Sequence, residues 1–147
     1  MTRARKFLAG CLFYLLAAST FTARAEEPDL NALVGSWKFR FTWSDLVNDS
    51  GSLVAKRINS GIEFTCTDCE KPQFLRGTVA GNGRIAWEFR AENGIQGKCD
   101  NDKGWQPVLP VFESGNREIR FWYYLHLEGN CSVQLKRAPV KFTLVRD

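Results

Sequence analysis

Gly35-Ser36-Trp37-Lys38-Phe39-Arg40-Phe41-Thr42-Trp43 alternates without a break. Aromatic rings occupy Trp37, Phe39, Phe41 and Trp43. Polar side chains occupy Ser36, Lys38, Arg40 and Thr42. A period of two is the mark of a β-strand with one face in a core and the other in water. Four rings on one face of one strand require a large apolar interior opposite them, as in a β-barrel or sandwich.

The same punctuation continues along the chain. Short runs rich in apolar and β-branched residues predict further strands at 52–58, 62–66, 73–80, 84–90, 95–99, 108–112, 117–127, 131–137 and 140–146. They are separated by turn residues such as Asn59-Ser60-Gly61, Gly81-Asn82-Gly83 and Glu128-Gly129-Asn130. Pro110 interrupts the run at 108–112. Asp29 to Leu33 is expected to form one short helical turn capped by Asp29. The fold class expected is all-β: a small closed antiparallel up-and-down barrel of about 8–10 strands. Closure would remove the exposed strand edges.

The N-terminus reads as a secretory signal over residues 1–25. Arg3, Arg5 and Lys6 precede the apolar run Phe7 to Ala18, and Ala23-Arg24-Ala25 fits a small-residue cleavage site. The expected domain is 26–147, and the expected location periplasmic or secreted. The apolar run is too short for a membrane span. Most of it also follows Cys11, where a lipid anchor would need it to precede, so no stable membrane anchor is expected. The leader carries four of the twenty basic residues; the sixteen that follow are matched by sixteen acidic ones. Without a basic stripe, nucleic acid is not an expected partner.

Four cysteines follow the leader: Cys66, Cys69, Cys99 and Cys131. An even number in an exported chain argues for two disulfides, and sequence allows three pairings. With ten alternating strands, Cys66 and Cys69 fall at one end and Cys99 and Cys131 at the other. Cys66–Cys69 and Cys99–Cys131 are therefore preferred. The second would close a loop of about thirty residues, worth about 3–4 kcal/mol in the loop-entropy picture. A Cys-x-x-Cys redox pair normally opens a helix, whereas Pro72 and a strand follow here. No metal site is expected.

No catalytic constellation is visible. His126 is the one histidine, and no pattern supplies a nucleophile or metal ligands around it. The chain is expected not to be an enzyme and to need no cofactor. Trp105 sits in a polar segment, and Trp122 and Tyr124 lie on a strand that is aromatic on both faces. These three are the candidate partner surface. The opposite alternation, Phe39, Phe41, Trp43, Trp87, Phe89, Phe121 and Tyr123, is the candidate lining of a ligand site.

Leu33-Val34-Gly35-Ser36-Trp37 resembles the Gly-x-Trp opening strand of lipocalins and fatty-acid-binding proteins. Phe142-Thr143-Leu144-Val145-Arg146 is similar to their last strand. The resemblance implies a lipocalin-like (calycin-type) barrel whose base is closed by Arg146 packing over Trp37, a contact of about 0.5–2 kcal/mol. It covers the two ends of the chain only. The function expected first is binding of a small apolar or aromatic molecule. The alternative is an inhibitor or immunity-type protein that binds an exported enzyme or toxin through its surface. Bacterial metalloprotease inhibitors look similar in size and opening strand, and Glu26 to Asn31 offers a tail comparable to the segment they use.

Overall fold

The computed structural model describes residues 27–43, 47–93, 103–126 and 137–147, with side chains except at 43, 47, 48, 124–126, 137 and 138. Its strands are β1 (Gly35–Trp43), β2 (Val47–Ile58), β3 (Gly61–Thr65), β4 (Gln73–Val79), β5 (Ile85–Arg90), β6 (Trp105–Val108), β7 (Val111–Glu113), β8 (Glu118–His126) and β9 (Arg137–Arg146). They form one antiparallel sheet in the order β6-β5-β4-β3-β2-β1-β9-β8-β7. The expected strand at 95–99 and most of that at 131–137 lie outside the described residues. So do the leader, Cys99 and Cys131.

β1 behaves as its alternation requires. Trp37, Phe39 and Phe41 are buried, while Ser36, Lys38 and Arg40 are exposed. β1 also joins the chain ends, since it pairs β9 from Trp37↔Arg146 to Thr42↔Lys141. The N-terminal turn docks at this end of the sheet. Asp29 Oδ1 accepts the Asn31 amide at 2.9 Å, and the next amides bond three residues back. Trp37 donates its indole N–H to Leu33 O at 2.8 Å. Arg146 donates to Val34 O at 2.8 Å and also to Ala32 O. Arg146 is thus an exposed clasp on backbone carbonyls.

One irregularity enlarges the core. The β3–β4 register runs Phe64↔Leu75 and then Thr65↔Gln73, which leaves Phe74 as an extra residue. Such a bulge breaks strict alternation, so Phe74 and Leu75 are both fully buried. Beyond it, Cys66 and Cys69 form a disulfide with their Cα atoms 5.5 Å apart. Asn93 clamps this loop. Its Nδ2 donates to Lys71 O and Gln73 O, and its Oδ1 accepts the Lys71 amide.

The sheet curls far enough for rings of β5 to meet rings of β8, but it is not a closed barrel. β6 and β7 are its two edges, and no ladder joins them among the described residues. The two are separated only by Leu109 and Pro110. Antiparallel pairing makes β5 and β8 run the same way, so β6 and β7 do too. Trp105 to Glu113 is therefore one extended segment, laced to β5 by its first half and to β8 by its second.

Hydrogen-bond parity explains the break. Ala91 N–H bonds Gly104 O at 2.9 Å, one step beyond Arg90↔Trp105. Bonded and non-bonded pairs alternate, so Gln106 and Val108 direct their backbone groups to β5. Trp105 and Pro107 turn theirs toward β8. On the same logic Arg146 N–H bonds Arg117 O at 2.9 Å, one step beyond Glu118↔Val145. Glu118 and Arg120 then face β7, and their partners Glu113 and Val111 face β8. Pro110, of opposite parity, would donate toward β5. A proline has no N–H to donate. Pro107 therefore removes a donor on the β8 side and Pro110 one on the β5 side, and neither ladder runs the full segment.

Two outcomes check this packing. A Cβ at Gly51 would stand 2.5 Å from the Phe39 ring, so Gly51→Ala is expected to cost about 1–3 kcal/mol, read by denaturant unfolding. In the native protein Cys66 and Cys69 are expected to resist alkylation until reductant is added, as intact mass would report.

Candidate functional site

The expected ligand lining is placed inside the sheet, where its rings touch one another. Phe89 lies 5.4 Å from Phe121, 5.7 Å from Tyr123 and 4.6 Å from Phe142. Phe142 stacks on Phe121 at 5.0 Å and meets Phe41 at 5.4 Å. Phe74 bridges Phe39 at 4.6 Å and Phe89 at 5.3 Å. Trp87 packs on Phe112 at 5.3 Å. Offset and edge contacts of this kind add about 0.5–1.5 kcal/mol each beyond area burial. Six expected lining residues are thus in the core; the Trp43 side chain lies outside the described residues. Phe74 and Phe142 sit at the centre and were not among the residues expected there. The parity of β9 signals Phe142, but only the bulge reveals Phe74.

The outer face is divided. Across β2 to β5 the charges alternate in register as Lys56↔Glu63, Glu63↔Arg76 and Arg76↔Glu88. Arg76 Nε donates to Glu88 Oε2 at 2.7 Å, and Arg90 pairs with Glu92 at 3.1 Å. Trp105 belongs to this ladder. The Arg76 guanidinium lies 4.1 Å from its ring centre and that of Arg90 5.7 Å. Such a half-exposed contact is worth about 0.5–1 kcal/mol. Trp105 is therefore a strand residue held between two arginines, where a loop had been expected.

The seam is different. Trp105, Pro107, Leu109 and Val111 occupy alternate positions on the outer side of this extended segment, and Val108 and Phe112 point inward. Leu109 is 89% exposed, and Trp122 on the outer face of β8 is 40% exposed. Pro107, Val108, Leu109 and Trp122 line a groove of about 570 Å³ between β6 and β8. Of the expected partner surface, Trp122 lies in this groove, Trp105 on the adjoining ladder, and the Tyr124 side chain outside the described residues. Leu109 was missed, although it is an apolar residue flanked by Val108 and Pro110. Below the seam, Glu113 and Glu118 stand directly opposite each other, and Arg120 pairs with both. That arrangement offsets the repulsion between like charges facing across a ladder.

Among the described residues no group of three or more His, Cys, Asp or Glu could hold a metal ion, and no helix is long and apolar enough to cross a membrane. Comparison with protein-family models, with curated proteins and with solved structures finds no match. What the fold and site define is an all-β antiparallel half-barrel with an aromatic core and an apolar groove at its open seam.

Core and seam are separable by mutation. Phe142→Ala is expected to cost about 3–5 kcal/mol of stability. Leu109→Ser is expected to change it by less than about 0.5 kcal/mol. Paired denaturant titrations compare the two.

Proposed function

We propose that this chain is an exported binding protein that recognises another exported protein through the seam face, rather than by enclosing a ligand. The observation that carries this reading is the contrast between a core whose rings pack on each other and a row of large apolar side chains left exposed at Leu109, Val111 and Trp122. Folded surfaces seldom expose contiguous apolar residues unless a partner covers them. Tryptophan is moreover prominent among the residues that dominate association energies. Inhibition or neutralisation of an exported enzyme or toxin fits a stapled scaffold of this size. No cofactor enters this reading.

A calycin-type ancestry is part of the proposal. Its support is the Gly35-x-Trp37 opening, the direct β1–β9 pairing and the Arg146 clasp on the N-terminal turn. A second reading keeps the small apolar ligand and moves it to the groove. Its volume of about 570 Å³ lies in the range of small-molecule sites.

The two readings separate on protein purified from the exported fraction under native conditions. Native mass spectrometry is expected to show the bare chain mass or a protein complex. In parallel, wild type is expected to retain a partner that the Leu109→Asp/Trp122→Ala variant loses, with an unchanged circular dichroism spectrum. A bound small molecule that the same variant releases would establish the second reading instead.

A further inference from the structure

We propose that the partner met at the seam presents an acidic surface, whose carboxylates dock on Arg40 and Lys141 on the outer face of β1 and β9. This deepens the surface reading above and rests on it.

Register places the charges. Across β2, β1, β9 and β8 the outward residues Ser50, Arg40, Thr143 and Arg120 form one row. On one side of it lie Thr42, Lys141 and Trp122. On the other lie Ser52, Lys38, Val145 and Glu118. Lys38 pairs with Asp147 at 3.1 Å, and Arg120 pairs with Glu113 and Glu118. Further along the sheet Lys56 faces Glu63, Arg76 bonds Glu88 and Arg90 pairs with Glu92. Each of these outer-face cations has an acid beside it. Arg40 and Lys141 have no ion-pair partner among the described residues.

The two are also neighbours. Arg40 stands opposite Thr143, and Lys141 is two residues away on the same face of β9. Such diagonal positions are about 7–8 Å apart. Like charges at that spacing repel, and an anion set between them offsets the repulsion. The surroundings of Arg40 suit a carboxylate. Arg40, Ser50 and Thr143 share with Lys38 a hollow of about 320 Å³. A guanidinium binds a carboxylate through parallel N–H donors, and the two hydroxyls can donate beside it.

Continuity with the seam identifies the occupant as a protein. Lys141 is directly opposite Trp122, and Trp122 lines the groove with Leu109. The cationic pair and the apolar groove therefore adjoin on one face. A sulfated polymer or a free phosphate satisfies the cations but sets nothing against Trp122 and Leu109. A flat, negatively charged lipid surface would bring Glu118, on the same face, against its own charge. A folded partner can set an apolar side chain at the groove and carboxylates beside it, and leave Glu118 clear. Complementary charge of this kind raises the association rate and fixes the docking orientation.

A peptide titration of the exported protein, followed by nuclear magnetic resonance, tests the proposal. The probe is a synthetic peptide with a leucine–phenylalanine pair flanked on each side by glutamate and aspartate. It is expected to shift the Arg40 Nε–H and Trp122 indole N–H signals together. Raising salt from about 50 to about 300 mM is expected to weaken binding about tenfold. Arg40→Gln/Lys141→Gln is expected to weaken it about tenfold at low salt and to remove most of the salt dependence. Lys56→Gln/Arg84→Gln removes the same charge elsewhere and is expected to change binding less than about twofold. Amide spectra unchanged away from the substitutions show that both variants fold. The proposal is overturned if a lysine version of the peptide binds equally, if the two double variants behave alike, or if the Arg40 signal does not move. Tighter binding of a heparin oligosaccharide or of phosphatidylglycerol vesicles than of the peptide overturns it too, in favour of a polyanion or a lipid surface. Capture of the exported partner separates this proposal from the reading beneath it. Loss of capture in Leu109→Asp/Trp122→Ala but not in Arg40→Gln/Lys141→Gln sinks the acidic partner and leaves surface recognition standing. Capture retained by both variants sinks surface recognition itself.

Discussion

The ladder between β1 and β9 is the constraint on which the rest of the structure depends. It brings the first strand beside the last, from Trp37↔Arg146 to Thr42↔Lys141. Without it, β1 to β6 and β7 to β9 would be two separate meanders, each with an apolar face open to water. Joined, they bring Phe41, Phe89 and Phe121 within ring contact of Phe142. The same ladder places Trp37 and Arg146 where both can bond the carbonyls of the N-terminal turn. Loop closure over nearly the whole chain is entropically costly, and the burial of these rings opposes that cost.

The second constraint is a pair of missing donors. Pro107 and Pro110 are three residues apart, so their absent N–H groups face opposite neighbours. The strand between β5 and β8 can therefore complete a ladder with neither. This gives the half-barrel a definite opening, at one place and of one kind. The apolar residues around it are the counterpart of that opening: Leu109 and Trp122 would be covered in a closed barrel only if some other element lay over them.

Function follows from the division between inside and outside. The aromatic alternation that suggests a ligand cavity also serves to fill an interior, and large rings on facing strands favour filling. The bulge at Phe74 adds one more ring to the centre, in contact with Phe39, Phe89 and Phe142. The charge ladder from Lys56 to Glu88 alternates in sign across the outer face of β2 to β5. Of the exposed large apolar residues, which also include Val54, Val79 and Val145, Leu109 is the most exposed among the described ones and shares the seam groove with Trp122.

Much of this was legible in the residues themselves. Alternation in β1 and β8 fixes which side chains enter the core, because a strand's faces are set by local geometry alone. The turn residues mark most strand ends for the same reason, and Cys66 and Cys69 are close enough in sequence to find each other. Other features depend on register, which no local pattern encodes. Phe74 is buried because a bulge shifts β4 against β3. Trp105 becomes a strand residue because β5 is beside it, with Arg76 and Arg90 there to receive its ring. Pro110 looks like a simple interruption until β5 and β8 are seen to run the same way. The chain by itself determined an all-β protein with an aromatic face, since that follows from spacing along one strand. Only the tertiary structure decided that the barrel stays open and where, since that depends on which neighbour each backbone group faces.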